Sequence, residues 1–466
     1  MKASSHSKTS SSASQTLSRR RFIKVSALAG GAAALGGPRL LRADNTAPKL
    51  NVAMIGLGGQ GLARLKEAIQ CGANIVALCD VDDKMIELAR TATGEELGNP
   101  SIHTDFHKML KAEKNLDAVI IATPDHWHAP AAQAAFAAHK HIFCEKPLAH
   151  TISEVRELRK RASGSKVVTQ LGNQGSALNT MRRGIELIQA GAIGQVRTVH
   201  VWVAKSGSFK PGQAALVGED PVPAGLHWDN WIGPAPFHPY KKAGYHPKAW
   251  RAWYDFGGGS MADWGCHGLN LPFRALKLNA PTEIEADVQG EITASYPIGV
   301  RIRFDFAARG DLPPVTLWWY DGGRLPSEDV VPKSVVDLFG EIPRDGVLMT
   351  GEKGFTYGAP HQGSQFIQLA GEPALTGLAD HQATQSIPRT LPRVKGHMQE
   401  WIDACQHGGV PYSNFEIGGQ LTEIVLAGVV ALRAGKKLEW DGPGMRAKND
   451  RDAAKFIHAK YRSGWA

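Results

Sequence analysis

The sequence has few cysteines, and none of them form a pair with metal-binding spacing. There are five, an odd number, with no CxxC pair, and several lie in apolar, strand-like segments such as "IVALCD". Disulfide frameworks and structural zinc sites show paired spacing. We therefore predict free cysteines that pack as small apolar side chains (Cys71, Cys79, Cys144, Cys266 and Cys405).

Acidic residues are absent from the first 43 residues, which hold eight lysines and arginines. Most of the formal net charge of +9 comes from this segment, because the remaining residues carry 45 basic and 44 acidic side chains. A nearly neutral body lacks the electrostatic footprint of a nucleic-acid binder. We therefore exclude nucleic acid as a partner.

The N-terminal segment also lacks an apolar run long enough to span a bilayer, which takes about 20 residues. "SRRRFIK" (residues 18–24) leads into a short, glycine-rich apolar run, residues 25–37. A basic segment before a short apolar run is typical of a secretory signal, and the arginine pair resembles the twin-arginine type. We predict a twin-arginine signal peptide over residues 1–43, the twin-arginine export machinery as a partner, and a periplasmic location.

The sequence of the remaining chain predicts an α/β protein with two domains. Apolar runs such as "LNVAMIG", "ANIVALCD" and "LDAVIIATP" alternate with helical stretches, which indicates a parallel sheet covered on both faces. We predict a Rossmann dinucleotide-binding domain over residues 44–165. Alternating segments such as "TEIEADVQGEI" and "GVRIRFDFAA" predict a C-terminal α/β domain over residues 166–466, with a large, open, mainly antiparallel sheet for substrate binding and oligomerisation.

A glycine-rich turn follows the first strand and opens the first helix. In such a turn one glycine permits the tight bend, one lets backbone approach a pyrophosphate, and one lets helix and strand pack closely. The phosphates would lie on the helix N-terminus. Asp80 ends the second strand, where a carboxylate accepts from a ribose hydroxyl and repels a 2′-phosphate, so we predict NAD and disfavour NADP. The predicted contacts are Gly56, Gly58, Gly59, Gln60, Gly61 and Asp80.

Two further strand ends carry polar residues, in "ATPDHWHAP" (residues 122–130) and "HIFCEKP" (residues 141–147). Ligands of open α/β sheets bind at the carboxyl ends of strands. We predict cofactor contacts at Thr123, Pro124, His128, Glu145 and Lys146.

Two of these features have alternative interpretations. His126 and His128 resemble a metal pair, but zinc needs three or four ligands and no third is apparent, so we predict partly exposed loop histidines and no metal. Lys146 is suited to stabilise a substrate alkoxide. A structural ion pair with Glu145 is its alternative role.

The segment "GGGSMADWGCHGLN" (residues 257–270) places Asp263 four residues before His267 on a helix that we expect to start near Asp263. Side chains four apart share one helix face. A carboxylate beside an imidazole suits a general base with an orienting partner, while a capping aspartate and a core histidine are the alternative. We also predict Asn173 in cofactor and substrate contacts and Trp253 in substrate contacts.

Taken in order, the glycine turn, "TPDHWH", "EKP" and the Gly-rich D-x-x-x-H helix resemble the Gfo/Idh/MocA oxidoreductase family. The resemblance implies NAD(P) binding, a sugar, inositol or related polyol as substrate, and a homo-oligomer. It also implies that Lys146, Asp263 and His267 are the catalytic residues and contact the substrate. Asn270 departs from the family pattern, because many relatives have aspartate there.

Together these features predict an exported oxidoreductase that transfers hydride between a secondary hydroxyl and tightly bound NAD(P). Free NAD is not expected outside the cytoplasm, so an exported enzyme must carry its cofactor and reset it within the site. A redox-neutral NAD-dependent glycoside hydrolase or lyase, acting through a transient keto-sugar, is the first alternative. A non-catalytic periplasmic sugar-binding protein is the second.

Overall fold

The computed structural model describes residues 49–204 and 211–465. The predicted signal peptide therefore lies outside the described residues. Within the described residues, those from 49 to 327 form one compact unit with those from 344 onward. Residues 328–343 belong to a second unit, in which Lys333–Phe339 is helical.

The first sheet is parallel and consists of β1 (Asn51–Ile55), β2 (Asn74–Cys79), β3 (Ser101–His103), β4 (Ala118–Ile121), β5 (His141–Glu145) and β6 (Thr169–Gly172). Its spatial order is β3-β2-β1-β4-β5-β6, the order of a Rossmann domain. Four of the five residues of β1 are buried, and so is all of β4, because helices cover both faces. The predicted Rossmann domain is confirmed.

The first sheet extends beyond the boundary that the sequence suggests between residues 165 and 166. Strand β6 pairs in parallel with β5, with Glu145 opposite Gly172. Sequence composition changes near residue 166, but the parallel sheet ends only at Gly172. The short strand β3 was not anticipated, because its three residues are too few to show a period.

The second sheet consists of β7 (Val196–Trp202), β8 (Glu283–Gln289), β9 (Gly299–Phe306), β10 (Val315–Asp321), β11 (Gly346–Gly351), β12 (Gly354–Gly358), β13 (Phe366–Leu369), β14 (Thr376–Gly377), β15 (Leu438–Asp441) and β16 (Arg446–Ala447). Its order is β14-β13-β12-β11-β7-β10-β9-β8-β15-β16. Strands β7 and β10 are parallel, and β10 with β9 and β11 with β7 are antiparallel. The predicted large, mainly antiparallel sheet is confirmed.

The helices of the described residues are α1 (Gln60–Gln70), α2 (Asp83–Thr93), α3 (Phe106–Ala112), α4 (His128–Ala137), α5 (Ile152–Ser163), α6 (Asn179–Gln189), α7 (Trp228–Ile232), α8 (Gly259–Gly268), α9 (Asn270–Ala275), α10 (Lys333–Phe339), α11 (Gln382–Gln385), α12 (His397–His407), α13 (Phe415–Ala434) and α14 (Ala454–Ile457). Helix α8 begins at Gly259, four residues before the start expected near Asp263. The sequence signal for this first turn is weak because glycine and serine are poor helix formers.

Two late helices pack against the first domain and the core. Trp401 of α12 is fully buried, and its ring lies 5.7 Å from that of Phe143 in β5. Helix α13 is long and apolar enough to cross a membrane, but 78% of its most apolar window is buried inside the protein. Its apolarity therefore serves packing against α5, α8 and β8.

An aromatic lobe (residues 211–258) lies between β7 and α8 and has its own apolar core of tryptophan, tyrosine and phenylalanine rings. It is bonded to the loop that follows β2. His227 N donates to Val81 O (2.8 Å), and Asp83 N donates to Gly225 O (3.0 Å). His246 Nε2 lies 2.8 Å from Asp82 Oδ2. The lobe is thereby held on the dinucleotide-binding side of the first sheet.

Candidate active site

One large cleft borders the carboxyl ends of β1, β2, β4 and β5. Its volume is about 950 Å³, near the top of the range of roughly 300–1,000 Å³ for small-molecule sites. The glycine turn, the aromatic lobe and helix α8 all contribute to its walls. Motifs that are far apart in sequence therefore meet in one cavity.

The glycine turn leaves no room for side chains at two positions. Gly56 has a φ of +88°, and a Cβ there would lie 2.7 Å from Ala122 O. A Cβ on Gly61 would collide with the carbonyl oxygen of Gly56. Gly59 precedes α1 and, having no side chain, makes no capping hydrogen bond to the first N–H groups of the helix. Gly61 N donates to Gly58 O (2.8 Å), but no side chain caps the start of α1, so a pyrophosphate can approach the helix N-terminus.

Asp80 lies beside this turn. Its carboxylate accepts from Leu57 N (2.7 Å) and from Asp82 N (2.9 Å). Burial raises the pKa of Asp80 to about 6, and the two backbone N–H groups oppose that rise. The carboxylate both holds the glycine turn and lines the cleft, where a ribose hydroxyl would lie.

The remaining predicted cofactor contacts near β1 and β4 line the same cleft. Thr123 Oγ1 is buried and has no hydrogen-bond partner among the described residues. It lines the cleft, so a bound dinucleotide can supply that partner. Pro124 and Gln60 also line the cleft. The Gln60 amide, oriented to satisfy both of its ends, accepts from Arg64 Nε (3.0 Å). The residues present therefore fit NAD.

The two histidines of "DHWH" are buried, not partly exposed as the sequence suggested. His126 Nε2 lies 3.0 Å from Trp231 O, while His128 lies between Pro147 O (2.6 Å, from Nδ1) and Thr123 O (3.0 Å, from Nε2). Burial lowers the pKa of His128 to about 4. The His128 ring joins the loops that follow β4 and β5. No group of three or more metal-ligating side chains occurs in the described part of the chain.

Glu145 is buried in the wall of the cleft and pairs with Arg64. Arg64 Nε lies 3.2 Å from Glu145 Oε1, and both side chains are almost fully buried. Burial raises the pKa of Glu145, while Arg64 and Lys146 oppose the rise. A Cβ on Gly172 would lie 2.7 Å from the Glu145 carboxyl carbon, so this glycine makes room for the acid.

Lys146 pairs with Asp263, not with Glu145. Its ammonium donates to Asp263 Oδ1 and to Asp263 O, both at 2.7 Å. Arg251 Nε lies 3.4 Å from the same Oδ1. Burial opposes charge on both partners, but Lys146 and Arg251 hold the pKa of Asp263 well below its usual range, and Asp263 raises that of Lys146. The ammonium keeps one hydrogen for a further acceptor.

His267 is oriented by Asn173 and not by Asp263, which corrects the expected carboxylate–imidazole pair. Its Nδ1 lies 3.1 Å from Asn173 Oδ1. Asp263 instead bonds to Lys146, because a full positive charge is a stronger partner than a neutral ring. Burial, reinforced by the nearby Lys146 charge, lowers the pKa of His267 to about 3.

Three predicted contacts do not line the cleft: Gly61, which packs against the carbonyl of Gly56, Asn173 and Trp253. Asn173 is fully buried behind His267 and does not line the cleft, so it reaches the site through His267 and not directly. Trp253 packs in the core of the aromatic lobe and donates from Nε1 to Gly244 O (2.8 Å). Other tryptophans line the cleft, among them Trp231, Trp250 and Trp264.

Two arginines that contact predicted site residues were not predicted from the sequence. Arg64 follows the glycine turn and holds Glu145, and Arg251 lies on the Trp250 ring at 4.4 Å and contacts Asp263. Neither lies in a recognisable motif. The buried acid in "CEKP" was the one signal for Arg64, because a buried carboxylate needs a cationic partner.

The fold and the site define a two-domain protein with an NAD-binding Rossmann domain. Two models of one family match the chain. The model of the oxidoreductase family's NAD-binding Rossmann fold matches residues 50–173, and that of its C-terminal alpha/beta domain matches residues 180–309. The chain belongs to the Gfo/Idh/MocA oxidoreductase family.

Curated relatives match the N-terminal part. Glycosyl hydrolase family 109 protein 2 of Shewanella sp. (strain ANA-3) is 32% identical over 162 residues, which cover 30% of this chain and 36% of the relative. Inositol 2-dehydrogenase of Salmonella paratyphi B is 30% identical over 155 residues, covering 32% of this chain and 45% of the relative. The chain thus matches less than half the length of either relative.

Solved structures share the fold over most of the chain. Aldose-aldose oxidoreductase from Caulobacter crescentus, complexed with glycerol, has a TM-score of 0.56 at 19% identity, covering 84% of this chain and all of that one. The WlbA dehydrogenase from Bordetella pertussis, in complex with NADH and UDP-GlcNAcA, has a TM-score of 0.58 at 16% identity, covering 84% and 99%.

Proposed function

We propose that this protein is an oxidoreductase that moves hydride between a secondary hydroxyl of a sugar, inositol or related polyol and tightly bound NAD. The observation that carries the proposal is the convergence of an ammonium (Lys146) and a neutral imidazole (His267) in the cleft of the glycine turn. Proton removal and alkoxide stabilisation at one carbon need such a base and such a donor.

In the proposed mechanism, His267 Nε2 takes the hydroxyl proton and Lys146 donates a hydrogen bond to the same oxygen. Asp263 holds the ammonium through two hydrogen bonds of 2.7 Å, so Lys146 is oriented before substrate binds. NAD, when bound, supplies the hydride acceptor. Trp231, Trp250 and Trp264 present apolar surface to the site.

We propose further that the protein is exported by the twin-arginine route to the periplasm and carries its NAD with it. The N-terminal "SRRRFIK" segment supports export. The bonds between the aromatic lobe and residues 81–83, next to Asp80, support a retained cofactor, because the lobe would lie over the adenosine half of the dinucleotide. A homo-oligomer formed through the large sheet is part of the same proposal.

A redox-neutral glycosidase is the second candidate, and the similarity to the Shewanella glycosyl hydrolase family 109 protein favours it. In that reaction, oxidation of one hydroxyl to a ketone acidifies the adjacent C–H, a glycosidic group leaves by elimination, water adds, and the ketone is reduced again. The same lysine and histidine would serve the oxidation and the final reduction. A sugar-binding protein without activity is the third candidate.

The experiment starts from mature protein purified without added nucleotide. Acid denaturation followed by mass spectrometry of the supernatant measures bound dinucleotide. Near-stoichiometric NAD(H) supports the proposal, after which sugar pairs and glycosides distinguish net hydride exchange from glycoside cleavage. A protein that contains no dinucleotide and does not bind added NAD would contradict the proposal and favour the sugar-binding protein without activity.

A further inference from the structure

Asn173 lies behind the proposed base and is fully excluded from solvent. It follows β6, and both ends of its amide are bonded. Its Nδ2 donates to Cys266 O (2.7 Å), and its Oδ1 lies 3.1 Å from His267 Nδ1. Ninety-four residues separate it from the histidine, so only the fold brings them together.

We propose that Asn173 is a positioning residue that fixes the His267 tautomer with its hydrogen on Nδ1. A carbonyl oxygen can only accept, so Cys266 O requires the NH₂ end of the amide. The oxygen end then faces the imidazole and also can only accept. Nδ1 must therefore carry the hydrogen, which leaves the lone pair of Nε2 to take a proton from substrate.

Several charged or titratable groups also lie around His267. The charged and titratable groups that act on it are Lys146 from the end of β5, Asp263 on its own helix, His361 from the loop after β12, and His397 from α12. Asp263 is bonded to Lys146. Because burial keeps the ring neutral at pH 7, the position of its single hydrogen decides whether Nε2 can act as a base.

The inference rests on the proposed role of His267, but its first test does not depend on activity. In protein with ¹⁵N-labelled histidine, purified with its dinucleotide, ring nitrogen shifts and couplings report which nitrogen carries hydrogen. The His267 signal is the one lost in His267→Gln. We expect a protonated Nδ1 and a bare Nε2. Hydrogen on Nε2 would overturn the proposal, even if no variant of Asn173 folds.

The second test uses variants. Asn173→Ala should shift the tautomer toward hydrogen on Nε2, and Asn173→Asp should stabilise the imidazolium and move the acidic limb of the kcat/KM profile up by about 1–3 pH units. Asn270→Ala is the matched control, because Asn270 is equally buried but bonds to Ser176 and Arg274. An Asn173→Ala protein with the wild-type tautomer, or an equal change in the control, would refute the inference.

The two tests separate the possible failures. If His267→Gln keeps activity, the proposed base is wrong, while the tautomer measurement still decides the role of Asn173. If His267→Gln is inactive and the wild-type ring carries its hydrogen on Nε2, only the inference about Asn173 fails.

Discussion

Replacing His246 with leucine should speed the release of NAD. His246 Nε2 bonds to Asp82 Oδ2 at 2.8 Å, and this bond joins the aromatic lobe to the loop after Asp80. His246→Leu removes the bond but keeps an apolar side chain against the neighbouring Trp231 ring. Two backbone hydrogen bonds, at Val81 and Asp83, still hold the lobe, so it stays folded and opens more often.

The size of the effect follows from the bond that is lost. A hydrogen bond to a charged group contributes about 1.5–3 kcal/mol, and each 1.4 kcal/mol is a factor of ten. In the proposed arrangement, the aromatic lobe must move away from the dinucleotide before NAD can dissociate. The rate of NAD release should therefore rise roughly 10- to 100-fold. Asp82 keeps its other oxygen on Lys84 N, so the cap of α2 survives the substitution.

The assay loads purified protein with isotope-labelled NAD, dilutes it into excess unlabelled NAD, and follows the label that stays with the protein. His238→Leu is the matched control. Its Nε2 also lies 2.8 Å from a carboxylate, Asp255 Oδ2, but both residues belong to the lobe. Equal release from wild type and His246→Leu, or equal acceleration by His238→Leu, would refute gating by the lobe.

Three further predictions concern the site and its support. Lys146→Ala should lower kcat at least 100-fold, because one donor to the developing oxyanion is lost, yet leave NAD bound by mass spectrometry; activity near wild type would contradict the role of Lys146. Gly56→Ala should abolish NAD retention, since its Cβ would lie 2.7 Å from Ala122 O at a positive φ; normal retention would contradict the packing of the turn. Burial raises the pKa of Asp321 to about 7. The protonated carboxyl therefore stabilises the fold at low pH, and this stabilisation is lost as the pH rises through 7. In urea unfolding, Asp321→Asn should gain about 2–3 kcal/mol on wild type between pH 5 and 8; parallel pH curves would contradict this.

The position of the cleft could be predicted from sequence. Gly56 and Asp80 lie at the ends of strands with continuous apolar runs, and such runs predict neighbouring parallel strands in a Rossmann sheet. Ligands of open α/β sheets bind at such strand ends as a general rule. Local periodicity and motif spacing were therefore enough for the fold class, NAD binding and the general location of Lys146.

The pairing of side chains within the cleft could not be predicted in this way. The four-residue spacing of Asp263 and His267 suggested that they bond to each other, because on a helix they share a face. Lys146, 117 residues away, takes the carboxylate instead. Aromatic content likewise suggested Trp253 as a substrate contact, although its ring is buried within the lobe.

Sequence alone determined the two-domain α/β fold, the glycine turn and the strand ends that carry polar residues, because these depend on neighbours within a few residues. Tertiary structure decided that Asn173 orients His267, that Asp263 holds Lys146, and that Arg64 pairs with Glu145. Partners of buried polar groups are chosen by which donors and acceptors the packed domains bring within about 3 Å of one another. That choice depends on the whole fold, so no local pattern predicts it.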